Sequence, residues 1–168
     1  GYSPLYSLNH LSINNSNSDG LYLDDANSQS FAENITIQNS GRDGMKLELT
    51  TSSLKLRNVT IFDSSNNGIT YSNSNKNLEI IESTIEGSSG TYQIYSDSDV
   101  NLTLRNSTVS NASGNNKYGI YHFPTNNAYS LLLDNATVEN NSVYSSVDSV
   151  NIAGVYGKNV TIINSVIS

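Results

Sequence analysis

The chain has 168 residues, with 15 acidic against 8 basic side chains and a formal charge of −7. That balance disfavours nucleic acid and anionic membranes, which need a basic surface. The lack of Cys excludes disulfide staples and thiolate metal sites, and no apolar run is long enough to span a bilayer.

Asn and Ser crowd the chain and charged residues make up 14% of it. Such polarity without pattern would signal disorder, but Leu, Ile and Val return here in register. The length fits one domain, expected to run over 1–168 as a single segment. Gly1 reads as the mature end of a processed or excised piece.

Seven octets repeat along the chain: "YSLNHLSI" from Tyr6, "SFAENITI" from Ser30, "LKLRNVTI" from Leu54, "LEIIESTI" from Leu78, "LTLRNSTV" from Leu102, "LLLDNATV" from Leu131 and "VTIINSVI" from Val160. Their starts lie 24, 24, 24, 24, 29 and 29 residues apart. A fixed period of this size signals a stacked repeat architecture. Within an octet the first and third places are mostly apolar, and so are the sixth and eighth. Each pair alternates as a strand does, yet the two pairs are out of phase. The chain must therefore turn at the fourth and fifth places.

The fifth place holds Asn34, Asn58, Asn106, Asn135 and Asn164, with His10 and Glu82 as exceptions. Asn tolerates the left-handed backbone region and suits a sharp corner. "DG" at Asp19 and Asp43 and "NG" at Asn67 then precede a third alternating segment: "LYL" at 21, "MKL" at 45 and "ITY" at 69. An isolated pair of this kind would announce a hairpin. Return of the same residue types one period later favours stacking instead. The fold expected is all-β: a right-handed parallel β-helix of about seven three-sided coils, each of 24–29 residues. Coils stacked at about 4.8 Å would give a prism roughly 30–35 Å long, with like side chains laddered on like.

The last two intervals gain five residues each, so enlarged coils are expected over 110–159, with loops inside 111–130 and 139–159. Insertions in a solenoid emerge as loops, often on a binding face. These two stretches hold Tyr118, Tyr121, His122, Tyr129, Tyr144 and Tyr156. Tyr combines a flat apolar ring with a hydroxyl, suited to stacking on sugars or anchoring a protein; packing of the widened coils is the plainer role. Pro4 is placed to blunt one end of the coil stack. "VTIINSVIS" stops in mid-coil, which points to continuation into further coils or to ends covered by partners.

Catalytic constellations are not visible. Asp24-Asp25 and Asp97/Asp99 read as turn residues. Arg57 and Arg105 fall on one surface column with Ile81 between them, and His10 and His122 lie about five coils apart. No catalytic residue, metal site or cofactor is expected. The triplets at Asn34, Asn58, Asn135 and Asn159 match glycosylation acceptors. The corner's demand for Asn, followed by an outward Thr, generates the same pattern.

The octet "LxLxNxTI", its Asn corner and its period near 24 together resemble the passenger domains of bacterial autotransporter adhesins and related pectin-lyase-like β-helix proteins. The resemblance covers nearly all of 6–167. It implies secretion, display on the bacterial cell surface and non-enzymatic adhesion. The implied partners are host glycans, an extracellular matrix or cell-surface protein, or a second copy, with a β-barrel translocator further along. A polysaccharide lyase, a glycoside hydrolase or a tailspike-like glycan binder is the alternative, and a purely structural spacer is a third.

Overall fold

A computed structural model describes residues 7–24, 30–49, 53–72, 76–112, 118–126, 128–141, 150–152 and 154–168. In chain order the strands begin with β1 (Ser7–Asn14), β2 (Leu21–Asp24), β3 (Ser30–Gln38), β4 (Met45–Glu48), β5 (Leu54–Phe62) and β6 (Ile69–Ser72). They continue as β7 (Asn77–Ile81), β8 (Thr84–Glu86), β9 (Tyr92–Ser96), β10 (Asn101–Arg105), β11 (Thr108–Ser110) and β12 (Tyr118–His122). The last six are β13 (Leu131–Asp134), β14 (Thr137–Glu139), β15 (Val150–Ile152), β16 (Val155–Gly157), β17 (Val160–Ile163) and β18 (Val166–Ile167).

The octets pair in parallel at the register that their repeat predicts. Leu54 stands beside Leu78, Leu78 beside Leu102 and Leu102 beside Leu131. In β3 and β5 one strand runs through the corner, whereas later octets split into β7/β8, β10/β11, β13/β14 and β17/β18. The third segments form a separate sheet, β2–β4–β6–β9–β12–β16, again parallel. The described strands thus build an all-β parallel solenoid.

Burial explains the phase change inside the octet. In β5, Leu54, Leu56, Val59 and Ile61 are buried while Arg57 and Asn58 between them are exposed. All seven fifth-place residues have positive φ, between 48° and 55°, including His10 and Glu82. One left-handed residue swings the chain so that both apolar pairs face inward. Asn bears this conformation at little cost, where other L-residues lose roughly 1–2 kcal/mol. The amides also link the rungs: Asn58 Nδ2 donates to Asn34 Oδ1 (2.7 Å) and Asn135 Nδ2 to Asn106 Oδ1 (2.8 Å). Glu82 interrupts the amide row and instead accepts from Arg57 Nε at 3.0 Å. Beyond the corner, Thr36, Thr60, Thr84, Thr108 and Thr137 align on the outward side.

A second left-handed column is formed by Asn15, Asn39, Asp63, Gly87, Asn111 and Asn140, with φ between 54° and 72°. It closes the octet's far end and recurs at the octet spacing. The Asp-Gly and Asn-Gly pairs have a different physical basis. Asp43 N donates to Asp19 Oδ1, Asn67 N to Asp43 Oδ1 and Tyr92 N to Asn67 Oδ1, at 3.1–3.2 Å. Each side chain therefore accepts from the backbone of the next rung. The following glycine is needed for space. A Cβ on Gly44 would lie 2.2 Å from Ile61 Cγ2 and 2.7 Å from the Gly68 carbonyl oxygen.

The stacking is not parallel everywhere. β15 runs antiparallel to β16, pairing Val150 with Gly157 and Ile152 with Val155. Gly154, at φ +97°, turns the chain between them. This corrects the expectation of superposed parallel rungs alone: part of the second lengthened stretch folds back as a hairpin. Pro4 and Asp25 lie outside the described residues.

Candidate functional site

The outward residues of the third sheet change character along the chain. One register column reads Tyr22, Lys46, Thr70, Tyr95, Tyr121, Tyr156. A second, three residues upstream on the same strands, pairs Tyr92 with Tyr118. Parallel rungs place equivalent side chains about 4.8 Å apart, close to the separation at which aromatic rings stack.

The rings do stack. Tyr95 and Tyr121 have centroids 5.5 Å apart at 14°, and Tyr121 and Tyr156 lie 4.8 Å apart at 5°. Tyr92 stacks on Tyr118 at 5.6 Å and tilts against Tyr95 at 4.9 Å. Phe123 joins the edge at 5.6 Å from Tyr156, with Lys158 Nζ 4.0 Å above its own ring. Six aromatic side chains on β9, β12, β16 and the residue after β12 thus form one half-buried patch.

Stacking occupies ring faces of Tyr95, Tyr121 and Tyr156, and all six aromatic side chains stay partly exposed. Tyr95 Oη donates to Asp97 Oδ2 at 3.0 Å. Burial raises the Tyr95 phenol to a pKa of about 12, helped by that bond. Tyr92 and Tyr121 are also raised, chiefly by burial, then by Tyr118 and by Tyr156 respectively. These three phenols are therefore neutral hydrogen-bonding groups at physiological pH.

Tyr118, Tyr121 and Tyr156, expected on inserted loops, lie on strands β12 and β16. Lengthening of the repeat leaves the third sheet's register unbroken, so these rings inherit its spacing. Tyr129 follows the turn after β12; its N donates to Asn126 O and its carbonyl accepts from Asn159 Nδ2. Its ring is outside the stack. Tyr144 lies outside the described residues. His122, expected beside the tyrosines, points the other way and is fully buried. Strand alternation requires this, because Tyr121 and Phe123 on either side face outward.

Tyr92 and Tyr95 escaped the sequence reading because their rung has the regular length. "YQIY" at 92 and "YGIY" at 118 carried the signal: one tetrad, twice, on neighbouring rungs.

Other candidates do not converge. Asp99 Oδ1 accepts from Thr125 Oγ1 and Asn126 N, both at 2.9 Å, which holds its carboxyl below the usual range. Asp97 serves Tyr95, and Asp24 is exposed at the end of β2. Arg57 and Arg105 flank Ile81 in register, as expected, and pair with Glu82 and Asp134 at 3.0 Å. Asn34, Asn58 and Asn135 carry the corner amides, and Asn159 is tied to Tyr129. Among the described residues no group of three or more His, Cys, Asp or Glu is placed to hold a metal ion. Among the same residues no helix is long and apolar enough to cross a membrane.

Comparison with known proteins agrees with this geometry at the level of fold. Neither a curated protein nor a solved structure matches the chain. One family model, described as "Right handed beta helix region", matches residues 6–109, about four turns of the solenoid. Its handedness is the one the parallel crossovers predict. The matched stretch is most of the chain and contains five of the octets whole, so the protein belongs to the right-handed β-helix family.

Proposed function

We propose that this chain is a non-enzymatic binding module of a secreted, cell-surface β-helix protein, and that its contact surface is the tyrosine patch on β9, β12 and β16. The finer geometry we infer is a rod of about seven three-sided coils, continuing into further coils or a translocator. The ring stack carries the reading. Tyrosines laddered on successive rungs give a rigid amphipathic strip that loses little conformational entropy on binding. An uncharged hydroxylated strip beside Asp97 and Lys158 suits a glycan chain running along the coil axis, with a matrix or cell-surface protein as the second partner class. A long flat face also lets many weak contacts act together. The adhesin resemblance of the octets points in the same direction.

The decisive experiment is a panel of immobilised glycans and matrix proteins, read with the intact chain and with Tyr121→Ser. Binding that weakens about ten-fold or more in the variant supports the patch as the contact. Binding unaffected by Tyr121→Ser and Tyr95→Ser together moves the contact elsewhere. Release of unsaturated or reducing ends from a bound polysaccharide would make the module an enzyme.

A further inference from the structure

On β12, Tyr121 and Phe123 face outward while His122 between them faces the core. The imidazole is fully buried, and neither Nδ1 nor Nε2 has a hydrogen-bond partner. Its register neighbours are Ser96 on β9 and Gly157 on β16. β11, also in contact with β12, contributes Thr108, Val109 and Ser110. None of these side chains is titratable. The backbone of Ser130 lies near enough to oppose the loss of basicity weakly, without making a bond of good geometry. The charged groups of this region among the described residues, Asp97, Asp99 and Lys158, belong to the outer side. A proton on His122 would therefore be a buried charge with no counter-ion and only the Ser130 backbone near enough to accept from it.

That charge has one inexpensive escape, which is to reach water. A strand residue cannot turn outward alone, because reversing one side chain reverses its neighbours. Moving His122 to the surface carries Tyr121 and Phe123 off the stack. We propose that the aromatic face is acid-gated: protonation of His122 displaces β12 and dismantles the Tyr95–Tyr121–Tyr156 stack. Burial depresses the folded-state imidazole to a pKa of about 4, from 6.5, so the driving force grows as pH falls through that interval. As a control on adhesion this rests on the tyrosine patch being the contact surface, but the structural event does not.

The test needs no ligand. The chain has 11 Tyr, no Trp and no Cys, so its near-ultraviolet circular dichroism reports tyrosine packing. The intact chain is expected to lose most of that signal reversibly between pH about 6.5 and about 4, with the far-ultraviolet strand signal largely kept. His122→Gln is expected to hold it to lower pH. An unchanged midpoint in His122→Gln, or a wild-type signal that is flat over the interval, overturns the proposal. If that variant does not fold, imidazole NMR of the intact chain decides, with exposed His10 as reference. His122 protonating together with the loss of tyrosine signal supports the gate. Protonation without that loss, or loss without protonation, overturns it. Failure of the glycan and protein panel leaves this measurement standing, which separates the two ideas.

Discussion

The third sheet is two surfaces built on one register. In the rungs carrying Asp19, Asp43 and Asn67, side chains accept from the next rung's backbone and Gly20, Gly44 and Gly68 admit close approach. The inward column there is Leu23 and Leu47. From Tyr71 onward the same column reads Tyr71, Ser96, His122, Gly157, while rings occupy the outside. Buried Gln93, Ser96 and His122 carry polar atoms without partners. In the first half the unpartnered buried oxygens are those of small serines, Ser40 and Ser64. The second sets larger polar groups beside Ile94, Ile120 and Val155 in the core and rings outside, a departure of the kind expected at functional or strained sites.

The contrast can be broken most sharply at the close-packed glycines. Gly44→Ala would thrust a methyl onto Ile61 and the Gly68 carbonyl. It is expected to cost about 3 kcal/mol or more in urea unfolding, beyond an ordinary overpacked core. Gly157, where a Cβ would meet nothing closer than 3.0 Å, should take the same substitution with a much smaller loss.

The next largest effect is on pH dependence. Burial lowers the His122 pKa to about 4, so between pH 6.5 and 4 the unfolded chain binds a proton that the stacked form, with its imidazole buried, refuses. Stability from this group is present above pH 6.5 and falls as pH drops to about 4, by about 3 kcal/mol. Urea melts across that range should show the slope in the intact chain and lose it in His122→Gln.

Asn58→Ala removes a corner residue at φ 50° and its amide bond to Asn34. A loss of about 2 kcal/mol is expected, most of it recovered by Asn58→Gly, which bears the left-handed backbone freely. Calorimetry of the two variants separates backbone strain from the amide row. Tyr121→Ala deletes two stacked contacts and should cost about 1–2 kcal/mol, because the ring is only half-buried. Smallest is Lys55→Ala. Its ion pair with Glu79, 3.0 Å long, is more than a third exposed, so a change below about 0.5 kcal/mol is expected.

Sequence periodicity carried the architecture because burial and corner chemistry act on every rung. The out-of-phase apolar pairs, the Asn corner and the outward Thr follow from local rules, and each returns in place. The second left-handed column, from Asn15 to Asn140, was equally periodic but fell just past the octet's edge. The site was harder to see. Tyr118, Tyr121 and Tyr156 stood out by composition, but only strand pairing shows that they stack, and that Tyr92 and Tyr95 complete the patch. His122 beside Tyr121 in the chain looked like a neighbour. A strand puts consecutive residues on opposite faces, so adjacency in sequence meant separation in space.

The hairpin of β15 on β16 has a bearing on how such a protein stays dispersed. Parallel sheets lengthen by recruiting strands at an open margin, whether from the same chain or a stranger. On the third sheet that margin is taken by a segment running the wrong way, so a newcomer must first evict β15. A strand added on this flank meets a reversed edge instead of a parallel template.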